Sequence, residues 1–164
     1  MKILVDADSC PKQAREIILR RAKGLNLRII FAANRHIPGS EDIEMEICPL
    51  ADNSADDRLV ELAENGDLAV TRDMPLAKKL VEKGVYVMDD RGRTFTYENI
   101  NELLSLRNFA VGLAENGFEI IRTANYGKKE LKTFADSLDR LLTKLCKNIS
   151  TQQKQQKEES ANQD

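Results

Sequence analysis

The stretch VDADSCP, residues 5–11, decides how the rest of the chain is interpreted. An apolar strand, KILVD at residues 2–6, ends in two aspartates one residue apart, and the pattern predicts a helix that begins near Pro11. Carboxylates between the end of a strand and the start of a helix commonly hold a cation or face a phosphate. The stretch therefore predicts a functional site at one edge of a sheet.

Short apolar runs alternate with longer segments of helical periodicity, which is typical of a parallel sheet flanked by helices. The apolar runs predict strands at residues 2–6, 26–32, 44–48, 67–71 and 85–88. Helical spacing of apolar residues predicts helices around 14–22, 59–63 and 76–81, and then two C-terminal helices at 98–116 and 128–147. The predicted fold class is α/β, with a mainly parallel central sheet of about five strands.

The length of 164 residues and the 41% content of hydrophobic residues predict one globular domain over residues 1–147. The remaining segment, 148–164, is polar and is predicted to be a disordered tail. A net charge of −2 provides no global attraction to nucleic acid or anionic lipid, so a polyanion would need a local basic patch or a metal ion.

The three cysteines are widely spaced and match neither a disulfide framework nor a zinc site. They are interpreted as reduced thiols, which predicts a cytoplasmic protein without a disulfide-linked partner. The sequence has no long apolar run of the kind that spans a membrane, so no membrane partner is expected.

Aspartates collect where the predicted strands end. Asp6 and Asp8 end the first strand, Asp73 follows the strand at 67–71, and Asp56 and Asp57 open a helix. If the first and fourth strands are neighbours, four or five carboxylates converge on one pocket. Hard oxygen ligands without a histidine predict Mg²⁺ or Mn²⁺ rather than zinc, since the single histidine, His36, lies in a polar loop and is interpreted as solvated.

Helix capping is the alternative interpretation of these acids, because aspartate and serine are good N-caps. Asp8 or Ser9 would cap the first helix, Ser54 would form a capping box with Asp57, and Asp73 would cap the helix that contains Pro75. A cap contributes about 1 kcal/mol, whereas two like charges ~4 Å apart cost about 4 kcal/mol at an effective dielectric constant of 20. Capping alone therefore does not explain paired acids.

Four ordered motifs resemble the bacterial YaiI/YqxD family over roughly residues 1–145. The motifs are VDADSCP (5–11), ADDRLVE (55–61), GDLAVTRDMPLA (66–77) and DDRGRTFTYENI (89–100). The resemblance implies a three-layer PIN-like fold, which is similar to metal-dependent nuclease scaffolds. It also implies a nuclease that uses Mg²⁺ or Mn²⁺ to hydrolyse phosphodiester bonds, with RNA as its partner.

The same resemblance implies which acids act. Asp6, Asp8, Asp56 and Asp73 match the family's catalytic and metal-binding positions. Asn53 stands where relatives have an aspartate, and Asp57 stands where many have an asparagine. Either Asp56 or Asp57 could therefore be the ligand from the middle helix.

Further polar residues are expected near the acids and are interpreted as substrate-binding. They are Asn34, Thr71, Arg72, Arg91 and Gly92. Thr71 could instead be a structural hydrogen-bond donor, Arg91 and Gly92 could form an ordinary turn, and Asn34 could only close a loop. Cys10 has no histidine partner in the sequence pattern and is interpreted as a locally packed thiol.

Two other function classes stay open. A haloacid-dehalogenase-like phosphatase would use Asp6 as a covalent nucleophile and Asp8 as acid or base, with Thr71 and Asp89–Asp90 as its later motifs. Against it stand the acid Asp73, two residues after Thr71, and the absence of a clearly placed lysine. The other class is a non-catalytic module that binds metal or RNA.

Overall fold

Six strands form one sheet in the computed structural model, which describes residues 1–37, 43–49, 54–118 and 126–161, with side chains as far as 148 and at Thr151. The strands are β1 (Lys2–Asp6), β2 (Arg28–Ala33), β3 (Glu44–Ile47), β4 (Leu68–Val70), β5 (Tyr86–Met88) and β6 (Thr94–Phe95). The first five are parallel to their neighbours, and β6 pairs with β5 in the antiparallel sense.

The strand order is β3-β2-β1-β4-β5-β6, so the chain reverses its direction of progress between β1 and β4. In register, Val5 of β1 lies opposite Val70 of β4, while Asp6 lies opposite Ala32 of β2. The connections that leave β1 and β4 diverge at this point and open a crevice beyond the carboxyl ends of the strands. Asp6 and Thr71 therefore lie at the switch point of the sheet.

Five helices accompany the sheet in the described residues: α1 (Lys12–Gly24), α2 (Ser54–Leu62), α3 (Met74–Glu82), α4 (Ile100–Glu115) and α5 (Lys128–Ala161). Alternate side chains of β1 point to opposite faces. Ile3 and Val5 share a core with α1 and α5, and Leu4 shares the other core with α2, α3 and the start of α4. This α/β arrangement is consistent with the three-layer PIN-like fold that the resemblance implies.

The strand β6 was not predicted. It contains only two residues, which is too short for a periodic signal, and it follows a turn in which the Asp89 carboxylate accepts hydrogen bonds from the backbone N–H groups of Arg91 and Arg93, both at 2.9 Å. The DDRGRT segment is therefore a turn, as the sequence indicated, but it is the turn of a hairpin at the edge of the sheet.

Helix α5 is longer than predicted and continues to Ala161, through most of the segment predicted to be a disordered tail. Its N-terminal half is anchored by the buried side chains of Phe134, Leu138 and Leu142. The residues beyond Ser150 are mainly Gln, Lys and Glu, which extend an existing helix at little cost. The division between a domain at 1–147 and a tail stays a prediction.

None of the described helices combines the length and apolar character needed to cross a membrane. Cys10, Cys48 and Cys146 all lie in the described part of the chain and form no disulfide. The predicted absence of a disulfide framework is confirmed for these residues.

Candidate functional site

Thr71 links the ends of the two central strands. Its Oγ1 donates a hydrogen bond to Asp6 Oδ2 at 2.7 Å and accepts one from the backbone N–H of Asp73 at 3.0 Å. Asp6 and Thr71 are both buried, with 7% and 1% of their surfaces exposed. The threonine hydroxyl therefore fixes one oxygen of Asp6 and the start of the next turn, so its structural role is established.

The loop after β1 folds back on Asp6. The backbone N–H of Ser9 donates to Asp6 Oδ1 at 3.3 Å, and Ser9 Oγ accepts from the backbone N–H of Arg72 at 3.3 Å. Arg15 Nη1 donates to the carbonyl oxygens of Ala7 and Cys10 at 2.8 and 2.7 Å. Because these bonds join β1, the start of α1 and the residues after β4, the loop is held from three sides.

Two of the three capping interpretations, those for α1 and α3, have different outcomes. Helix α1 has Pro11 at its N-cap and no side-chain cap, so capping by Asp8 or Ser9 was wrong. Asp8 Oδ2 instead accepts from the backbone N–H of Asn34 at 2.7 Å. Asp73 does cap α3, since its Oδ1 accepts from the backbone N–H of Leu76 at 2.8 Å.

Asp56 and Asp57 are adjacent in α2 but have different surroundings. Partial burial, together with the charges of Asp73 and Asp6, raises the pKa of Asp56 from 3.8 to about 6. Asp57 is exposed and forms an ion pair with Lys79, with 3.3 Å between Oδ1 and Nζ. Asp56 therefore belongs electrostatically to the group at the sheet edge and Asp57 to the solvated surface.

The expected convergence of four or five carboxylates is not found. Within residues 1–37, 43–49, 54–118 and 126–161, no three His, Cys, Asp or Glu side chains are grouped closely enough to hold a metal ion. The carboxylates are kept apart because each has a local partner. Asp8 accepts a hydrogen bond from the backbone N–H of Asn34, Asp73 caps α3, and Asp57 accepts one from Lys79 Nζ. Asn53 lies outside the described residues.

What the acids at this edge share is uncompensated charge. In the part of the chain that the structure describes, neither Asp6, Asp56 nor Asp73 forms an ion pair with a lysine, arginine or histidine. Asp6 and Asp73 accept hydrogen bonds from neutral donors, namely backbone N–H groups and one hydroxyl. Such donors orient carboxylates without neutralising their charge.

Next to the acids lies a second cluster that consists of Arg72, Asp90 and Tyr126. Arg72 binds the carboxylate of Asp90 through Nε and Nη2, and the Asp90 side chain is only 1% exposed. The Tyr126 hydroxyl donates to the Asp90 carbonyl oxygen at 2.9 Å. Burial, followed by the charge of Asp90, raises the pKa of Tyr126 to about 12, so its phenol stays protonated.

Sequence reasoning singled out Arg72 and Arg91 in this region but missed Asp90 as a structural anchor and Tyr126 altogether. The guanidinium carbons of Arg72 and Arg91 lie 5.5 and 5.7 Å from the centre of the Tyr126 ring. Tyr126 is 35 residues from Arg91 in the sequence, outside every motif, so no local pattern could have revealed the contact.

Gly92 serves the packing of the hairpin turn against α5. Its φ is +86°, and a Cβ at this position would lie 2.9 Å from the Thr133 carbonyl oxygen and 2.8 Å from Ser137 Oγ. The close approach that the glycine allows is therefore to a helix. The expectation that its backbone contacts a phosphate stays a prediction, as does substrate binding by Asn34, whose exposed side chain follows the end of β2.

Cys10 and His36 agree with their interpretation as a locally packed thiol and a solvated loop residue. Burial, then the charge of Asp90, raises the pKa of the Cys10 thiol to about 12, so it is protonated and a poor nucleophile at neutral pH. His36 is exposed just after β2.

The family model described as "Uncharacterized BCR, YaiI/YqxD family" matches residues 4–144. The chain belongs to the YaiI/YqxD family. The match includes Asp6, Asp8, Asp56 and Asp73, together with Tyr126. The resemblance seen in the four sequence motifs is thereby confirmed.

Curated relatives cover nearly the whole chain. A UPF0178 protein of Treponema denticola is 48% identical over 147 residues, which are 90% of this chain and 95% of the relative. UPF0178 proteins of Syntrophobacter fumaroxidans and Myxococcus xanthus are each 42% identical over 149 residues, or 90% of this chain and 97% of the relative. No solved structure is significantly similar to this chain.

Proposed function

We propose that this protein is a Mg²⁺- or Mn²⁺-dependent nuclease that hydrolyses phosphodiester bonds in RNA. The observation that carries the proposal is the group of Asp6, Asp56 and Asp73 near the switch point of the sheet, where burial and the charges of Asp73 and Asp6 raise the pKa of Asp56. A cation bound among them would remove this repulsion. The preference for RNA rests on the PIN-like resemblance alone.

The acids have distinct tasks in this proposal. Asp6 is the fixed ligand, because Thr71 Oγ1 and the Ser9 N–H hold both of its oxygens from below. Asp56 is the adaptable ligand, because its carboxylate is partly exposed and shares the field of Asp6 and Asp73. Asp8 is exposed at the rim, held by Asn34, and orients the attacking water.

Carboxylate oxygens are the ligand type that a hard divalent cation prefers, and the side chains in the described residues would have to move closer together to share one ion. When bound, Mg²⁺ or Mn²⁺ would lower the pKa of a water molecule and polarise the phosphate. The chain's own residues provide the orientation, and the Asp73 oxygen that does not cap α3 completes the acidic rim.

The phosphatase alternative receives less support from the geometry. Asp90, one of the predicted later acids, is held by Arg72, and Asp89 organises the β5–β6 turn. These contacts leave neither residue in the role that a phosphatase requires.

The test is cleavage of a labelled single-stranded RNA and a matched DNA by purified protein with Mn²⁺, with Mg²⁺ and with a chelator. We expect metal-dependent RNA cleavage that is lost when Asp6, Asp8, Asp56 and Asp73 are all changed to Asn. Asp57→Asn is the matched control, since it removes an acid of the same helix that lies outside the group, and it should retain activity.

Intact RNA and DNA under all conditions, with wild-type and four-substitution proteins alike, would overturn the nuclease proposal. If the wild-type protein still bound Mn²⁺ and the four-substitution variant did not, the metal-binding module would replace it. Hydrolysis of a small phosphomonoester that depends on Asp6 would instead favour the phosphatase.

A further inference from the structure

Tyr126 brings two arginines from different segments to one position. Arg72 follows β4 and Arg91 lies in the β5–β6 turn, yet both guanidinium groups lie within 6 Å of the same ring centre, at 5.5 and 5.7 Å. A guanidinium over an aromatic face is attracted by the ring, and the attraction is stronger where solvent is excluded. A single aromatic ring therefore fixes two positive groups side by side.

A buried residue, Asp90, holds the cluster together. Asp90 receives Nε and Nη2 of Arg72, and its backbone carbonyl accepts the hydrogen bond from the Tyr126 hydroxyl. The Arg72 side chain is still 43% exposed. A guanidinium anchored through two nitrogens and open on its other side is preorganised to bind an anion.

The cluster is adjacent to the acidic group. The Arg72 backbone N–H donates to Ser9 Oγ, and the Ser9 backbone N–H donates to Asp6 Oδ1. The charges of Asp90 and Asp6 also both raise the pKa of the buried Cys10 thiol, so both carboxylates lie within electrostatic range of it. A nucleic-acid strand that placed one phosphate at the acids would therefore have the arginines within reach of its neighbouring groups.

We propose that Arg72, Arg91 and Tyr126 form a subsite for a backbone phosphate of single-stranded RNA, beside the carboxylates. This inference rests on the proposed function for its choice of ligand, but the subsite needs no metal. Arg72 and Arg91 contact the phosphate, and Tyr126 is a positioning residue that holds both guanidinium groups.

The charge of Arg91 also acts on the carboxylate of Glu130, which lies at the start of α5. Glu130 is partly exposed, and one of its oxygens accepts a hydrogen bond from the Gly127 N–H at 2.9 Å. Glu130 therefore adds a negative charge beside the subsite.

The test measures binding without cleavage. Fluorescence anisotropy of a fluorescein-labelled oligouridine 12-mer is recorded in chelator at several salt concentrations, for wild type, Arg91→Ala, Tyr126→Leu and Tyr126→Phe. Arg28→Ala is the matched control, because Arg28 is an exposed arginine at the opposite edge of the sheet. Unfolding midpoints are measured for every variant.

We expect Arg91→Ala to weaken binding about tenfold, as loss of one charge-assisted contact predicts. The slope of log K against log salt should decrease by about 0.7, the value for one phosphate contact on a single strand. Tyr126→Leu should weaken binding about fivefold, while Tyr126→Phe, which keeps the ring, and Arg28→Ala should bind like the wild type. If Tyr126→Leu does not fold, Arg91→Ala and its salt slope decide.

Unchanged affinity and salt slope in Arg91→Ala would overturn the subsite, as would failure of the wild-type protein to bind RNA. Failure of the two proposals is distinguishable. Binding that depends on Arg91 in a protein that cleaves nothing would support the subsite without the nuclease, whereas cleavage that is unaffected by Arg91→Ala and Tyr126→Leu would support the nuclease without the subsite.

Discussion

Aspartates lie both at the amino edge of the sheet, where the parallel strands begin, and at its carboxyl edge, where they end. At the amino edge a lysine neutralises the aspartate, and at the carboxyl edge neutral groups hold the aspartates. At the amino edge, Asp67 is 2% exposed, and its Oδ2 lies 2.7 Å from Lys2 Nζ. The backbone N–H groups of Lys2 and Glu64 also donate to it, at 2.8 and 2.9 Å. At the carboxyl edge, Asp6 and Asp73 are held by neutral donors only, within the described residues.

The difference separates an acid that the fold neutralises from acids that it leaves charged. Asp67 forms an ion pair with Lys2, so its charge is already neutralised within the folded protein. The charges of Asp6 and Asp73 are left acting on Asp56, whose pKa rises in consequence of burial and of both neighbours. A carboxylate group that the fold orients but does not neutralise is the arrangement expected where a cation or reactant completes the site.

The largest expected effect is on stability, from a substitution at the amino edge. Asp67→Asn removes the buried partner of the Lys2 ammonium and leaves it only the exposed carboxylate of Glu64, 3.1 Å away, so we expect the free energy of unfolding to fall by about 3 kcal/mol. Asp73→Asn, which keeps a good N-cap and removes an uncompensated charge, should change it by less than about 1 kcal/mol. Urea unfolding at pH 7 measures both, and similar losses in the two variants would contradict the contrast between the edges.

The second effect is at the link between the strands. Thr71→Val removes the donor to Asp6 Oδ2 and the acceptor for the Asp73 N–H, so stability should fall by about 2 kcal/mol. Thr71→Ser, which keeps the hydroxyl, should lose less than half as much. Equal losses would show that the methyl packing, and not the hydrogen bonds, matters at this position.

The smallest effect is a dependence on pH. Because the pKa of Asp56 is raised from 3.8 to about 6 in the folded state, ionising Asp56 opposes folding. Relative to Asp56→Asn, the metal-free wild type should therefore lose stability as pH rises from about 4 to about 6. The difference should then stay constant, at up to about 1 kcal/mol after solvent screening.

Asp57→Asn is the control for this profile, because its carboxylate is exposed and paired with Lys79. It should change stability by less than about 0.5 kcal/mol. Unfolding curves between pH 4 and 8 provide the comparison. A profile for Asp56→Asn that runs parallel to the wild type would contradict the coupling of Asp56 to Asp6 and Asp73.

The parallel strands were predictable because each one is an apolar run bounded by polar turns. The strand β6 was not, since two residues carry no period. Neither was the exposure of Phe109, an apolar residue in the helix predicted at 98–116, which is 67% exposed on α4. Helical spacing indicates an apolar face but does not say whether another element covers it.

The acids of the site were found from their positions after strands, because parallel strands bring their carboxyl ends to one edge. Their individual partners were not predictable, since Asp8 with Asn34 and Asp57 with Lys79 depend on side-chain directions that a sequence does not specify. The contact of Tyr126 with Arg72 depends on how α5 docks, and this is a property of the tertiary fold.

Calorimetric titration of the metal-free protein with Mn²⁺ at pH 7.5 tests most directly whether the carboxyl edge is a cation site. We predict saturable binding to wild type and to Asp57→Asn, with at least about tenfold weaker binding to Asp6→Asn and to Asp56→Asn, since each removes one charged ligand. No saturable binding by the wild type, or equal binding by all four proteins, would contradict the assignment of these acids.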